Sequence, residues 1–297
     1  MEGNPIFDSG LVREELNNHL VFSPSQLDKW DKCKKLGYYI YRKNYRAEET
    51  ERHLRLGTII HWMLQRMYQG WDINRILAAA DEEFPTFEDN VLIFKSSGLL
   101  YRYQEYWRYG RDDFTILGVE QYLLVPYTTP AGRQVYLNGY VDLIYEKGGR
   151  LGVIDHKSGN RFWTVDQVFF DRQLIIYAYM LHQLGFSPHE VAINNVKTST
   201  LGESIEKKLS TDLFNRITVP LDTRFLHGYM NEVGKTIDNI LSLEEFDMSL
   251  SKENCASCVF HHACTMSLEG TNPETYLQQN FSHKRKDIKV TIKGLPG

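Results

Sequence analysis

Apolar residues recur along this chain in two rhythms, and the switch from one to the other organises it. Leu56, Ile59, Ile60, Met63, Leu64 and Met67 keep the three-to-four spacing of a helix with one buried stripe. Trp71 to Glu83 and about Ile93 to Tyr109 read as helices too, the second with an aromatic-rich surface (Tyr101, Tyr103, Tyr106, Trp107, Tyr109). Ahead of them stands a helix start: Ser23 as N-cap, Pro24 at the first helical position, Gln26 three residues after the serine, and Phe22 stapled onto Leu27. That helix should run to about Leu36, just before Gly37, and would carry Cys33. The rhythm then becomes that of strands. Val119 to Val125, Val135 to Tyr145 and Leu151 to Asp155 are rich in β-branched and aromatic residues. Turn chemistry at Thr129-Pro130-Ala131-Gly132 and Lys147-Gly148-Gly149 separates them into a three-strand meander. A helix from about Asp166 to Leu184, apolar almost all round, is buried and ends at Gly185; Val191 to Val196 is a fourth strand, and about Asp222 to Leu243 a further helix. The order helix, strand, strand, strand, helix, strand predicts an α/β fold, a mixed sheet with helices on its faces. The expected divisions are an N-terminal arm over 1–22, a helical part over 23–118, a core over 119–200 and a C-terminal helical part over 201–297.

Composition narrows the class. With 297 residues, 34 Lys and Arg against 38 Asp and Glu, and 42% hydrophobic residues, the chain can bury a full core and is neither disordered nor a basic tail protein. The opening residues predict no secretory leader, and the longest apolar run, Leu174 to Leu181, is far short of the roughly 20 residues that span a bilayer. A cytoplasmic protein without membrane contact is expected. A net charge of −4 does not exclude a locally basic groove, and Lys284, Arg285, Lys286, Lys289 and Lys293 make a basic tail. The four cysteines say more. Cys33 stands alone, and Cys255, Cys258 and Cys264 form C-x2-C-x5-C. In a reducing compartment, thiols so spaced are metal ligands more often than disulfides. Zinc is one occupant, with His261 and His262 between the cysteines as further ligands; an iron-sulfur cluster is the other, and spacing does not choose between them.

The second chemical constellation lies on the meander. Asp142 closes Gly139-Tyr140-Val141-Asp142, and the next strand carries Asp155-His156-Lys157. Adjacent antiparallel strands pair and side chains alternate, so Asp155 and Lys157 share a face with Asp142 opposite them. Two carboxylates suit a hard divalent cation, magnesium or manganese, which can polarise a phosphoryl oxygen, while the ammonium stabilises developing charge. By themselves these residues are better described as a set of strand-end charges. Two further positions agree with the chemical reading: His61 on the border of its helix's apolar stripe, and Gln173 and Tyr177, one turn apart on the buried helix. Glu120 reads as a further acidic group near the site or, more simply, as a strand-edge charge.

Taken together, these elements resemble the RecB-like branch of the PD-(D/E)xK nucleases, and within it the iron-sulfur members: the nuclease domain of AddB-type helicase-nucleases and the CRISPR-associated RecB-like exonucleases. The resemblance runs from Ser23-Pro24-Ser25 to Cys264. It implies a restriction-endonuclease-like core, with a metal held by His61, Asp142, Asp155 and the His156 carbonyl. It also implies Lys157 as catalytic lysine, Gln173 and Tyr177 as its helpers, and a cluster, most simply [4Fe–4S], on Cys33, Cys255, Cys258 and Cys264 that joins the two ends of the chain. His156 departs from the family, where a tyrosine or an apolar residue is frequent at that position. The implied activity is a magnesium- or manganese-dependent DNA exonuclease acting on single strands or frayed ends in recombination, repair or CRISPR-type adaptation, with a helicase or integrase as possible protein partner. The competing reading is a DNA-end-binding subunit that cuts little by itself. For DNA contact, Trp30, Tyr38, Tyr39, Tyr41, Arg42, Lys43 and Arg46, and after the lysine motif Arg161, Phe162 and Trp163, combine charge with stacking surface; they read equally as core aromatics with solvated neighbours.

Overall fold

The strands run longer than their sequence signals. The computed structural model describes residues 20–47, 52–199 and 205–282; the expected basic tail and the arm up to residue 19 lie outside the described residues. The strands are β1 (Val21–Phe22), β2 (Thr115–Thr128), β3 (Gln134–Lys147), β4 (Arg150–Gly159), β5 (Pro188–Lys197) and β6 (Phe214–Pro220). Among the described residues they form one six-stranded mixed sheet. β2 and β3 make a long antiparallel ribbon, β4 returns antiparallel to β3, β5 runs parallel to β4, and β6 is antiparallel to β5. The short β1 lies parallel to β3. The turn between β3 and β4 holds Gly148 and Gly149 at φ +57° and +76°, a left-handed pair that only glycine adopts without strain. It sets Lys147 opposite Arg150 and Leu143 opposite Ile154, which brings Asp142 beside the end of β4. β6 carries no clear sequence signal, because Asn215, Arg216 and Thr218 interrupt its apolar pattern.

The helices are α1 (Pro24–Lys32), α2 (Lys34–Gly37), α3 (Arg52–Tyr68), α4 (Ile73–Glu83), α5 (Phe87–Tyr103), α6 (Val165–Phe169), α7 (Arg172–Gln183), α8 (Ser210–Leu213), α9 (Thr223–Leu241), α10 (Lys252–Cys255), α11 (His261–Leu268) and α12 (Glu274–Asn280). Two expected helices are broken, each for a local reason. The first stops at Lys32, and Cys33 is extended (φ −167°, ψ 124°) rather than helical. Lys35 N–H donates to Asp247 O at 3.0 Å and Asn254 Nδ2 to Lys32 O at 3.0 Å, so bonds to the C-terminal segment replace helical ones. The helix expected over 166–184 divides at Asp171, whose carboxylate caps a new start by accepting from Leu174 N at 2.8 Å.

The sheet separates two apolar layers. On one face Val125, Leu137, Val141, Val153 and Ile193 pack with Leu27 of α1, Leu174 to Leu181 of α7 and Leu226, Val233 and Ile237 of α9. On the other, Leu143, Tyr145, Ile154 and Ala192 meet Ile59, Ile60 and Met63 of α3, Ile76 of α4 and Leu99 and Tyr103 of α5. A third cluster joins Tyr39 and Tyr45 to Phe260, Ala263, Leu277 and Phe281, with Cys258 and Cys264 packed against it. Trp30 and Tyr39, for which a DNA-facing surface and the core were both open, are 3% and 5% exposed and belong to these cores, because apolar area is worth more buried than offered to solvent. Among the described residues, no helix is long and apolar enough to cross a membrane.

Candidate active site

The ladder between β3 and β4 ends at Leu143 and Ile154, and beyond that pair the strands part. Asp142 fills the opening: its Oδ2 accepts from His156 N at 2.7 Å. The carboxylate thereby satisfies an amide that the neighbouring strand no longer reaches. Asp155 is 1% exposed, and its Oδ1 is buried without a hydrogen-bond partner. Its Oδ2 lies 2.7 Å from Lys157 Nζ. A buried carboxylate with a free oxygen is costly unless something of opposite charge completes it.

Lys157 is held from α7. Its Nζ donates to Gln173 Oε1 at 2.8 Å, and Gln173 Nε2 donates to Tyr177 OH at 3.0 Å. Gln173 thus has both ends of its amide used, which fixes its orientation. A Cβ built on Gly139 would sit 2.5 Å from Tyr177 Cε1, so the glycine of the Gly-x-x-Asp strand is what admits the tyrosine ring. The Lys157 ammonium also lies 5.7 Å from the centre of the Trp163 ring.

His61 reaches the same fork from α3, on the opposite side of the sheet. Its Nδ1 is 3.6 Å from Asp142 Oδ2. The side chain of His156 does not enter the fork. It points into the α3–α5 layer, where Asn194 Nδ2 stands 2.9 Å from its Nδ1 and the Tyr68 ring stacks on it at 5.3 Å. Its backbone lines the site, and its ring meets the His61 ring edge-on at 6.2 Å.

Electrostatics follow from crowding. Burial, then the charges of Asp155 and Glu120, raises the Asp142 carboxyl well above the carboxylate range. Burial, then Asp155, pushes Glu120 up to about 7 against the pull of Arg66. Burial lowers the His61 imidazole, with Asp155 opposing and Lys157 adding to the fall. Burial also works to lower Lys157, but Asp155, Asp171 and Asp142 outweigh it and hold the ammonium above its ordinary value. The strand register sets Glu120 across from Asp142, which favours the reading of a further acidic group near the site over that of a strand-edge charge. Glu120 sits at φ +50° between Val119, which pairs Leu143, and Gln121, which pairs Val141. A left-handed backbone inside a strand cannot be read from composition. The one sequence hint is the polar pair Glu120-Gln121 interrupting an apolar strand.

The four thiols are also brought together. Cys33, Cys255 and Cys258 each help push the Cys264 thiol up, behind burial, to about 11. Cys258 is raised by burial and then by Cys33 and Cys255. His261 Nδ1 is 3.2 Å from Cys255 O, and the His262 ring packs edge-on against Tyr276 at 4.6 Å. Among the described residues, no three His, Cys, Asp or Glu side chains form a ready-made ion cage. The donors still fit their expected guests: a buried carboxylate with a spare oxygen suits a hard cation, and four neighbouring thiols suit a thiophilic metal centre.

A family profile described as the PD-(D/E)XK nuclease superfamily matches residues 21–265. Among solved structures, a "putative exonuclease" from Eubacterium rectale covers 85% of this chain and 95% of its own at 13% identity and a TM-score of 0.53. SSO0001 covers 84% of this chain and 88% of its own at 13% identity and a TM-score of 0.41. At such identity the first of these is a likeness of fold. No curated protein matches the chain.

Proposed function

Because the chain belongs to the PD-(D/E)XK nuclease superfamily, we propose that it is a metal-dependent DNA exonuclease of the RecB-like, iron-sulfur type. It acts in the cytoplasm on single-stranded DNA or frayed ends, in recombination, repair or CRISPR-type adaptation, with a helicase or integrase as its protein partner. The observation that carries this reading is the fork between β3 and β4. There Asp142 and the unsatisfied Asp155 face His61, and Lys157 is locked by Gln173.

In this reading His61, Asp142, Asp155 and the His156 carbonyl hold Mg2+ or Mn2+, which when bound offsets the carboxylate repulsion and polarises the scissile phosphate. Lys157 meets the charge that develops on the phosphoryl oxygens and orients the attacking water. Gln173 keeps the ammonium pointed at the fork, and Tyr177 keeps Gln173 from turning. Glu120 completes the acidic wall and supplies a further acceptor for the water's proton. Cys33, Cys255, Cys258 and Cys264 hold the cluster, which ties the α1–α2 break to the C-terminal helices. An absorbance band in the visible with iron in the purified protein supports the cluster, and zinc in its place overturns it.

The deciding measurement is digestion of end-labelled single- and double-stranded DNA with Mn2+. Asp155→Ala and Lys157→Ala are each expected to cut activity by three orders of magnitude or more. Variants that digest as fast as the parent remove the nuclease site, and a wild-type protein that binds ends without cutting in any divalent metal leaves an end-binding subunit.

A further inference from the structure

Behind the fork, on the far side of β4, lies a chain of buried polar groups that the proposed chemistry does not use. Arg216 of β6 and Asp112 are paired at 2.8 Å, with side chains 10% and 0% exposed. Tyr68 OH donates to Asp112 Oδ2 at 2.9 Å and lies 2.8 Å from Tyr103 OH. Asn194 Nδ2 donates to Tyr103 OH at 2.7 Å and meets His156 Nδ1 at 2.9 Å, while Arg216 Nε approaches Asn194 Oδ1 at 3.4 Å. His156, Tyr68, Tyr103 and Asn194 are all 3% exposed or less.

The direction of every bond follows from one end. A guanidinium only donates and an ionised carboxylate only accepts. Arg216 therefore takes the oxygen side of the Asn194 amide, which leaves the NH2 side for Tyr103 and His156. His156 Nδ1 must then accept, so the imidazole is neutral with its proton on Nε2. Tyr103 receives from Asn194 and passes its own proton to Tyr68, whose hydroxyl points at Asp112. Arg216 Nη2 reaches the Tyr68 oxygen at 3.1 Å and the Trp107 ring covers the guanidinium at 4.1 Å, so the anchoring cation is itself held.

We propose that Asn194 and Tyr68 are positioning residues for the divalent-cation site. Asn194 fixes the His156 ring as the Nε2–H tautomer, Tyr68 holds that ring by stacking on it, and together they fix the His156 peptide, whose N–H binds Asp142. This rests on the metal-dependent reading given above. Asn194 is also the residue paired with His156 in the parallel β4–β5 register, so its side chain and its backbone steer the same peptide. Groups that orient a ligand in this way typically change metal affinity 10- to 100-fold when removed.

The test is Mn2+ titration of the folded, DNA-free full chain by calorimetry, alongside histidine nitrogen NMR of the ring. Asn194→Asp exchanges the donor facing His156 for an acceptor at nearly constant shape. It should move the His156 proton to Nδ1 and weaken Mn2+ binding at least tenfold; Tyr68→Phe should weaken it severalfold without moving the proton. A folded Asn194→Asp protein that binds Mn2+ within twofold of the parent overturns the proposal. If that variant does not fold, Tyr68→Phe with parental affinity overturns it instead. Asp155→Ala separates the two layers of argument. If the parent binds no Mn2+, or Asp155→Ala binds it equally well, the metal reading fails and this proposal with it; a parent that binds while both network variants stay unchanged removes only the network.

Discussion

Glu120 keeps a left-handed backbone in the middle of a strand, which costs a residue with a side chain about 1–3 kcal/mol. Its carboxyl is pushed up to about 7 by burial and by Asp155. Both features work against folding, the pattern of a residue retained for chemistry. Glu120→Gln removes the charge and keeps the shape. It should stabilise the cation-free protein at pH 8 by on the order of 1–2 kcal/mol, after allowing for solvent screening. Cleavage should fall at least tenfold. Thermal unfolding and initial rates measured on one preparation check both, and a variant that loses stability together with activity would make Glu120 a structural residue. His156 teaches a different lesson at this scale. Its identity looked incidental in the sequence because only its backbone was expected to matter, yet its ring is the point where the buried polar chain meets the site.

At the scale of elements, the site depends on how closely α7 can lie on β3. Gly139→Ala places a methyl 2.5 Å from Tyr177 Cε1, so the helix must shift or the ring must turn. Overpacking of this kind costs about 1–3 kcal/mol. Because Tyr177 orients Gln173 and Gln173 holds Lys157, kcat should fall more than stability alone explains; a folded variant with parental kcat would uncouple α7 from the lysine. The broken helices belong here too. Periodicity carried α1 through Cys33 and joined α6 to α7, since an apolar stripe is indifferent to one extended residue. What broke them was a partner from far along the chain in the first case and a capping aspartate in the second. The cap lay in the sequence as Asp171, three residues before Leu174, but inside a continuous apolar pattern it carried no weight.

Over the whole molecule, charge and cation should be linked through pH. Asp142 and Glu120 are raised in the folded state, Glu120 from 4.5 to about 7. A group whose folded pKa lies above its unfolded one stabilises when protonated, so this contribution is present below about 4.5 and is lost as pH rises through about 7. A bound cation reverses the loss by pairing with the ionised forms. Saturating Mn2+ should therefore raise the melting temperature clearly more at pH 8 than at pH 5.5, and an equal rise at both would place the ion elsewhere. The thiols act at the same scale. Cys33 is separated from the other three by more than two hundred residues, so whatever they hold closes a very long loop. Cys258→Ser should lower the melting temperature by several degrees before it changes the rate of cleavage by the remaining folded protein, a comparison that calorimetry and activity at 20 °C make directly. The chain by itself determined the run of β2, β3 and β4, a buried helix and β5, the Asp142–Asp155–Lys157 set, the Gln173–Tyr177 pair and the thiol spacing, because each depends on period, turn residues or short separations. Only the tertiary structure decided that Glu120 lies across from Asp142, that Trp30 and Tyr39 are core, that β6 exists as an edge, and that Arg216 and Asp112 anchor a network behind His156. Those depend on which distant segments come to lie against one another, and burial and pairing between such segments leave no period in the sequence.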